Sequence, residues 1–171
     1  DWLRQAIGLP TNFSGVIQDS ASSATLAAVL TMRERALDWQ GNKVGLSGAA
    51  RLRIYCSAEV HTSVDRAIWV SGIGQDNLVR IPISGPLRGM NTGALKAAIQ
   101  ADIALGYHPA GIIACTGGTG TGACDDLTGV IKTSKEFNLY SHVDAAWAGA
   151  GMICPEFREL WSGVEGADSI V

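Results

Sequence analysis

The hydrophobic period of this chain switches again and again between two and 3.6, with short connections between the segments. Residues 22–39, 63–71, 92–105 and 127–137 read as helices. Residues 52–57, 77–83, 111–116 and 140–144 read as strands, and another strand begins at 167–171, after 155–161. Residues 1–8 read as the tail of an amphipathic helix. Such alternation predicts an α/β fold, a mostly parallel sheet flanked by helices. The strand Gly111-Ile112-Ile113-Ala114-Cys115 has no polar face, as expected where helices cover both sides.

A length of 171 residues predicts one domain with a sizeable core. The net charge of -3 comes without any run of Lys or Arg, which argues against nucleic acid and anionic membrane as partners. The apolar stretches are far shorter than a membrane span. Cys56, Cys115, Cys124 and Cys154 form no Cys-x-x-Cys pair, and reduced thiols in a cytoplasmic protein are the expectation.

In a parallel sheet, ligands collect at the carboxyl ends of the strands. Three unusual stretches fall there: 57–61, 116–122 and 144–149. The helix at 22–39 opens with Ser20-Ala21-Ser22, which reads either as an ordinary N-cap or as a phosphate site on free helix N–H groups. The loop Thr116-Gly117-Gly118-Thr119-Gly120-Thr121-Gly122 lacks the Gly-Lys-Ser/Thr ending of a nucleotide P-loop. It reads as a strand exit that lets backbone approach a flat ligand, or as a flexible turn. His61 can stack on a planar ring or shuttle a proton, or it can be a hydrogen-bonded surface histidine.

The sharpest feature is His142-Val143-Asp144-Ala145-Ala146-Trp147-Ala148-Gly149, a carboxylate at the end of an apolar strand. A buried carboxylate calls for a cation. Paired with a protonated ring nitrogen, Asp144 would make that ring an electron sink, and the small residues after it would let the ring lie close. The plainer reading is an aspartate that caps the next turn. His142 faces the same side as Asp144, but no third ligand stands at metal spacing, so no metal is expected.

Five motifs together resemble the pyridoxal-phosphate-dependent decarboxylases of the aromatic-L-amino-acid type. They are Ser20-Ala21-Ser22, the stretch from Ala58 to Ala67 around His61, His142 to Gly149, Ile153-Cys154-Pro155-Glu156-Phe157-Arg158, and Gly166-Ala167-Asp168-Ser169. The resemblance implies an aspartate-aminotransferase-like large domain, here incomplete, with pyridoxal 5'-phosphate as cofactor. Residues 1–171 are then a segment of that domain. An N-terminal segment, the strand with the cofactor-carrying lysine, and a C-terminal small domain are expected outside it.

The resemblance also implies roles. Ser20, Ala21 and Ser22 hold the phosphate, His61 stacks on the ring and assists protonation, Asp144 pairs with the ring nitrogen, and Ala146 packs on the other ring face. Cys115 stands where the family usually has threonine, and Gly117-Gly118-Thr119 where it usually has Gly-Thr-Thr, which leaves Thr119 as the hydroxyl beside the cofactor. Trp147 replaces a common tyrosine. The implied reaction is decarboxylation of an L-amino acid, expected to be aromatic, to its amine and carbon dioxide, in a homodimer. Its rivals are acidic amino-acid decarboxylation or aldehyde-forming oxidative deamination on the same cofactor, and a non-catalytic fragment.

Overall fold

The computed structural model describes residues 2–171, so Asp1, at the start of the expected first helix, lies outside the described residues. Helices α1 (Trp2–Ala6), α2 (Ala21–Ala36) and α3 (Gly41–Val44) precede strand β1 (Leu52–Ser57). Then come α4 (Ser63–Val70), β2 (Leu78–Ile81), β3 (Ile83–Ser84), β4 (Gly89–Met90) and α5 (Thr92–Ala104). β5 (His108–Cys115), α6 (Leu127–Glu136), β6 (Tyr140–Asp144) and β7 (Ser169–Ile170) follow. Three 3-10 turns, Gly149–Ile153, Pro155–Trp161 and Val164–Gly166, fill the long connection between β6 and β7.

Five strands pair in the order β2-β1-β5-β6-β7, all parallel. Alternate residues divide between two cores. Ile54, Cys56, Ile113 and Cys115 face α2 and α4, packing with Val29, Met32, Val64 and Ile68. Tyr55, Ile112, Ala114 and Val143 face α5 and α6, packing with Leu95, Ile99, Leu127 and Val130. Each fully buried aliphatic side chain of these layers contributes about 1.5–3 kcal/mol relative to exposure. α2 lies close on β5 at Gly111, where an added Cβ would run into the Met32 side chain.

The expected elements are present with shifted ends. α2 begins at Ala21 because Ser20 caps it, its Oγ accepting from the Ser23 N–H at 3.2 Å. It stops at Ala36, and Asp38 and Trp39 take left-handed backbone, with φ of 50° and 62°, that no helix continues. The expected strand over 77–83 is broken at Pro82, which has no N–H for the ladder. Ile81 ends β2 against Ser57, while Ile83 and Ser84 turn into an antiparallel hairpin with Met90 and Gly89. That hairpin and α3 are not signalled by periodicity.

Candidate active site

β1 lies between β2 and β5, so the chain leaves it toward one side and later returns on the other. Such a reversal opens a crevice at the carboxyl ends of the strands. The loops after β1, β5 and β6 meet there, and α2, which precedes β1, brings its N-terminus to the same end. Asp144 points toward α2 because it shares the parity of His142 and pairs in register with Cys115.

A cavity of about 240 Å³ opens at this meeting point. Six of the eight residues named from the sequence line it: Ala21, Ser22, His61, Thr119, Asp144 and Ala146. Ser63 and Trp147 complete the lining. Two of the named residues stay out of it. The Ser20 hydroxyl is taken up in capping α2. Cys115 is buried under the cavity beside Asp144, and burial, with Asp144 adding to it, pushes its thiol up to about 12. A neutral buried thiol makes no nucleophile at neutral pH.

The geometry defines what the cavity can hold. The N–H groups of Ala21 and Ser22 lie in the first turn of a 16-residue helix, where no intrahelical acceptor reaches them. Together with the Ser22 hydroxyl and the positive end of the helix, they suit a phosphate. No Lys or Arg is among the lining residues. His61 Nδ1 accepts the Ser63 N–H at 3.2 Å and lies 3.0 Å from the Ser63 hydroxyl, which fixes the ring and leaves Nε2 as the proton-bearing atom of the neutral form.

Asp144 is 7% exposed. Its Oδ1 accepts the Ala146 N–H at 3.2 Å, so the turn-capping reading is correct, but for one oxygen only. Oδ2 has no hydrogen-bond partner among the described residues. Burial raises the Asp144 carboxyl, and the Ala146 amide and nearby His61 offset this in part. A cationic ring nitrogen at Oδ2 would favour the charged form and offset the cost of burial. The chain therefore fits a flat, phosphate-bearing ring with a protonated nitrogen.

His142 lies on the same face, 2% exposed, with Nδ1 2.8 Å from the Ser169 hydroxyl. Burial lowers its pKa to about 4, so it is neutral. Among the described residues no trio of His, Cys, Asp and Glu is gathered for a metal.

Asp125 escaped the sequence reading. It is 4% exposed, and its two oxygens accept the Met90 N–H at 2.6 Å and the Cys115 N–H at 2.7 Å, tying β4 to the end of β5. Burial pushes its carboxyl up to about 6 against the two amides that favour its charge. Nothing local distinguishes it from Asp126, which caps α6. Ser63 had a usable signal, a hydroxyl two residues after a histidine at a helix start.

A larger cleft of about 920 Å³ opens between the β3–β4 hairpin and the turn Pro155–Trp161. Its charged lining is Asp125, Asp126, Glu156 and Glu159, four acids that would repel a phosphate. The smaller cavity is therefore the better candidate on chemical grounds.

Known proteins resemble this chain over nearly its whole length. The aromatic-L-amino-acid decarboxylase of Sus scrofa is 39% identical over 181 residues, covering 99% of this chain and 36% of that protein. The aromatic-L-amino-acid decarboxylase of Catharanthus roseus is 35% identical over 177 residues, covering 99% of this chain and 35% of its own length. The chain thus spans about a third of the curated relatives it matches. The crystal structure of Oryza sativa TDC with PLP and tryptamine superposes with a TM-score of 0.90 at 34% identity, covering 99% of this chain and 38% of that one. The model of the pyridoxal-dependent decarboxylase conserved domain matches residues 1–171. On the sheet, the cavity and this match together, the chain belongs to the pyridoxal-dependent decarboxylase family.

Proposed function

We propose that the complete enzyme uses pyridoxal 5'-phosphate to decarboxylate an aromatic L-amino acid to its amine and carbon dioxide. The observation that carries this reading is the free Oδ2 of Asp144, in a cavity that also holds His61 and the open N-terminus of α2. Bound pyridoxal 5'-phosphate supplies an electron sink for the electron pair of the breaking carbon–carboxylate bond. Ala21 and Ser22 hold the phosphate, and Asp144 keeps a proton on the ring nitrogen. Ala146 and His61 hold the two faces of the ring, and Thr119 closes the side. His61 Nε2 relays a proton from solvent to the carbon that lost its carboxylate, and the imidazole ring ends neutral with Nε2 protonated again. The relatives that are aromatic-amino-acid decarboxylases support the substrate class.

Lys43, Lys96, Lys132 and Lys135 all lie outside the cavity lining. We infer that the lysine carrying the cofactor follows Val171. In support, Val171 accepts the Ala145 N–H at 2.7 Å and donates to Val143 at 3.0 Å, so the chain there runs beside Asp144. A homodimer is part of the same proposal. Val16 and Ile17, 78% and 99% exposed, stand just before α2, and Trp147, 68% exposed, stands at the cavity; a second copy would cover such apolar surface. The four free thiols support a cytoplasmic setting.

The test is the complete protein, supplied with pyridoxal 5'-phosphate and a panel of L-amino acids, with products identified by mass spectrometry. Amine and carbon dioxide from tyrosine, tryptophan or DOPA are expected. Turnover confined to acidic amino acids, or an aldehyde as the main product, would overturn the assignment. Light scattering and cell fractionation check the dimer and the compartment.

A further inference from the structure

Glu59 stands two residues before His61 and takes no part in the chemistry above. Its carboxylate is nonetheless bonded at both oxygens. Oε1 accepts from the Arg88 guanidinium at 2.6 Å, and Oε2 accepts the Thr121 hydroxyl at 2.9 Å. Glu59 follows β1, Arg88 lies in the β3–β4 hairpin, and Thr121 lies in the glycine-rich loop after β5. One side chain therefore joins three loops that leave different strands.

The glycine-rich loop is wedged where this bridge meets it. A Cβ on Gly118 would lie 3.3 Å from the Glu59 carbonyl oxygen, and a Cβ on Gly117, whose φ is +79°, would overlap Ala148. Gly117 and Gly118 both donate to the Ala123 carbonyl at 2.9 Å, so the stem of the loop is firm. Its tip is not. Residues 119–122 are exposed, and two amide bonds, from Thr121 and Gly122 to the Gly118 carbonyl, are the backbone bonds within it. A tip with so little buried contact opens easily unless a side chain ties it down. Thr119, on that tip, reaches the cofactor cavity.

We infer that Glu59 is a positioning residue: the bridge Arg88–Glu59–Thr121 holds the tip of the glycine-rich loop in place and so sets Thr119 against the cofactor. This rests on the cofactor site proposed above. An isolated surface ion pair contributes little. Glu59 differs in that its side chain is only 17% exposed and its second oxygen reaches the loop itself. The Arg88 guanidinium first, then the Thr121 hydroxyl, hold the Glu59 carboxyl below its ordinary range, so the bridge is charged at neutral pH.

The experiment compares the holoenzyme with Glu59→Ala, Thr121→Val and the double variant. It reads pyridoxal 5'-phosphate affinity by absorbance titration and hydrogen exchange over residues 117–122. Each single variant is expected to weaken cofactor binding about fivefold and to speed exchange in the loop. The double variant is expected to be no worse than the weaker single one, because both remove the same bond. Unchanged affinity with unchanged exchange would overturn the inference, as would strictly additive losses. Should Glu59→Ala fail to fold, Thr121→Val at an exposed position decides alone by the same two readouts. A parent protein that binds no pyridoxal 5'-phosphate would overturn the cofactor site, whereas loop exchange in the cofactor-free protein still reports on the tether separately.

Discussion

The Ser63 N–H points at Nδ1 of His61 from 3.2 Å, and this one bond selects the tautomer of the ring. A backbone amide can only donate, so Nδ1 accepts and Nε2 carries the proton of the neutral imidazole. His61→Gln removes that proton and the flat ring. Turnover should fall by about 10²–10⁴-fold while the cofactor still binds. Steady-state kinetics with a parallel absorbance titration checks this, and ¹⁵N chemical shifts of the wild-type ring report the tautomer directly.

Asp144 offers one oxygen to Ala146 and keeps the other free. Asp144→Asn retains the shape and loses the charge that would hold a proton on the ring nitrogen. Turnover should drop on the order of 10²–10³-fold, with a shifted cofactor absorbance band. An Asn variant with parental rate and spectrum would remove Asp144 from the mechanism.

Ser20 and Ser22 are two residues apart and have different tasks. Ser20→Ala should cost about 1 kcal/mol of stability, since it deletes the N-cap of α2. Ser22→Ala should instead weaken cofactor binding with little change in apo stability, because Ser22 lines the cavity and its hydroxyl has no hydrogen-bond partner among the described residues. Thermal denaturation of the apo protein and cofactor titration separate the two effects.

His142 and Asp125 respond to acid with opposite signs. His142 is lowered to about 4 by burial, so its contribution to stability is whole above its unfolded value near 6.5 and is lost as pH falls toward 4. Asp125 is raised to about 6, so its contribution is whole below its unfolded value near 3.8 and is lost as pH rises through 6. Each shift corresponds to roughly 3 kcal/mol, and between pH 6 and 4 the two largely cancel. His142→Gln removes the acid-labile partner. Relative to the wild type, the variant should gain stability on going from pH 6.5 to 4, measured by urea denaturation across that range.

The α/β alternation was legible because helix and strand periods are local properties of the chain. The parity that puts His142 and Asp144 on one face was legible for the same reason. So were the helix start at Ser20-Ala21-Ser22 and the turn residues around His61. The break at Pro82 was available to reading too, since proline has no ladder donor, yet the apolar residues Leu78, Val79, Ile81 and Ile83 masked it.

By itself, then, the sequence determined the alternation of elements, the face that Asp144 occupies, and the set of groups suited to a phosphate and a protonated ring. Only the tertiary structure decided which of them share a cavity. The order β2-β1-β5-β6-β7 is set by pairing between distant segments, and it brings Ala21, His61, Thr119 and Asp144 together while leaving the Cys115 thiol underneath. Asp125 and Glu59 gained their roles in the same way. Their partners lie 10 to 62 residues away, and no local pattern encodes a bond that exists only after the sheet has closed.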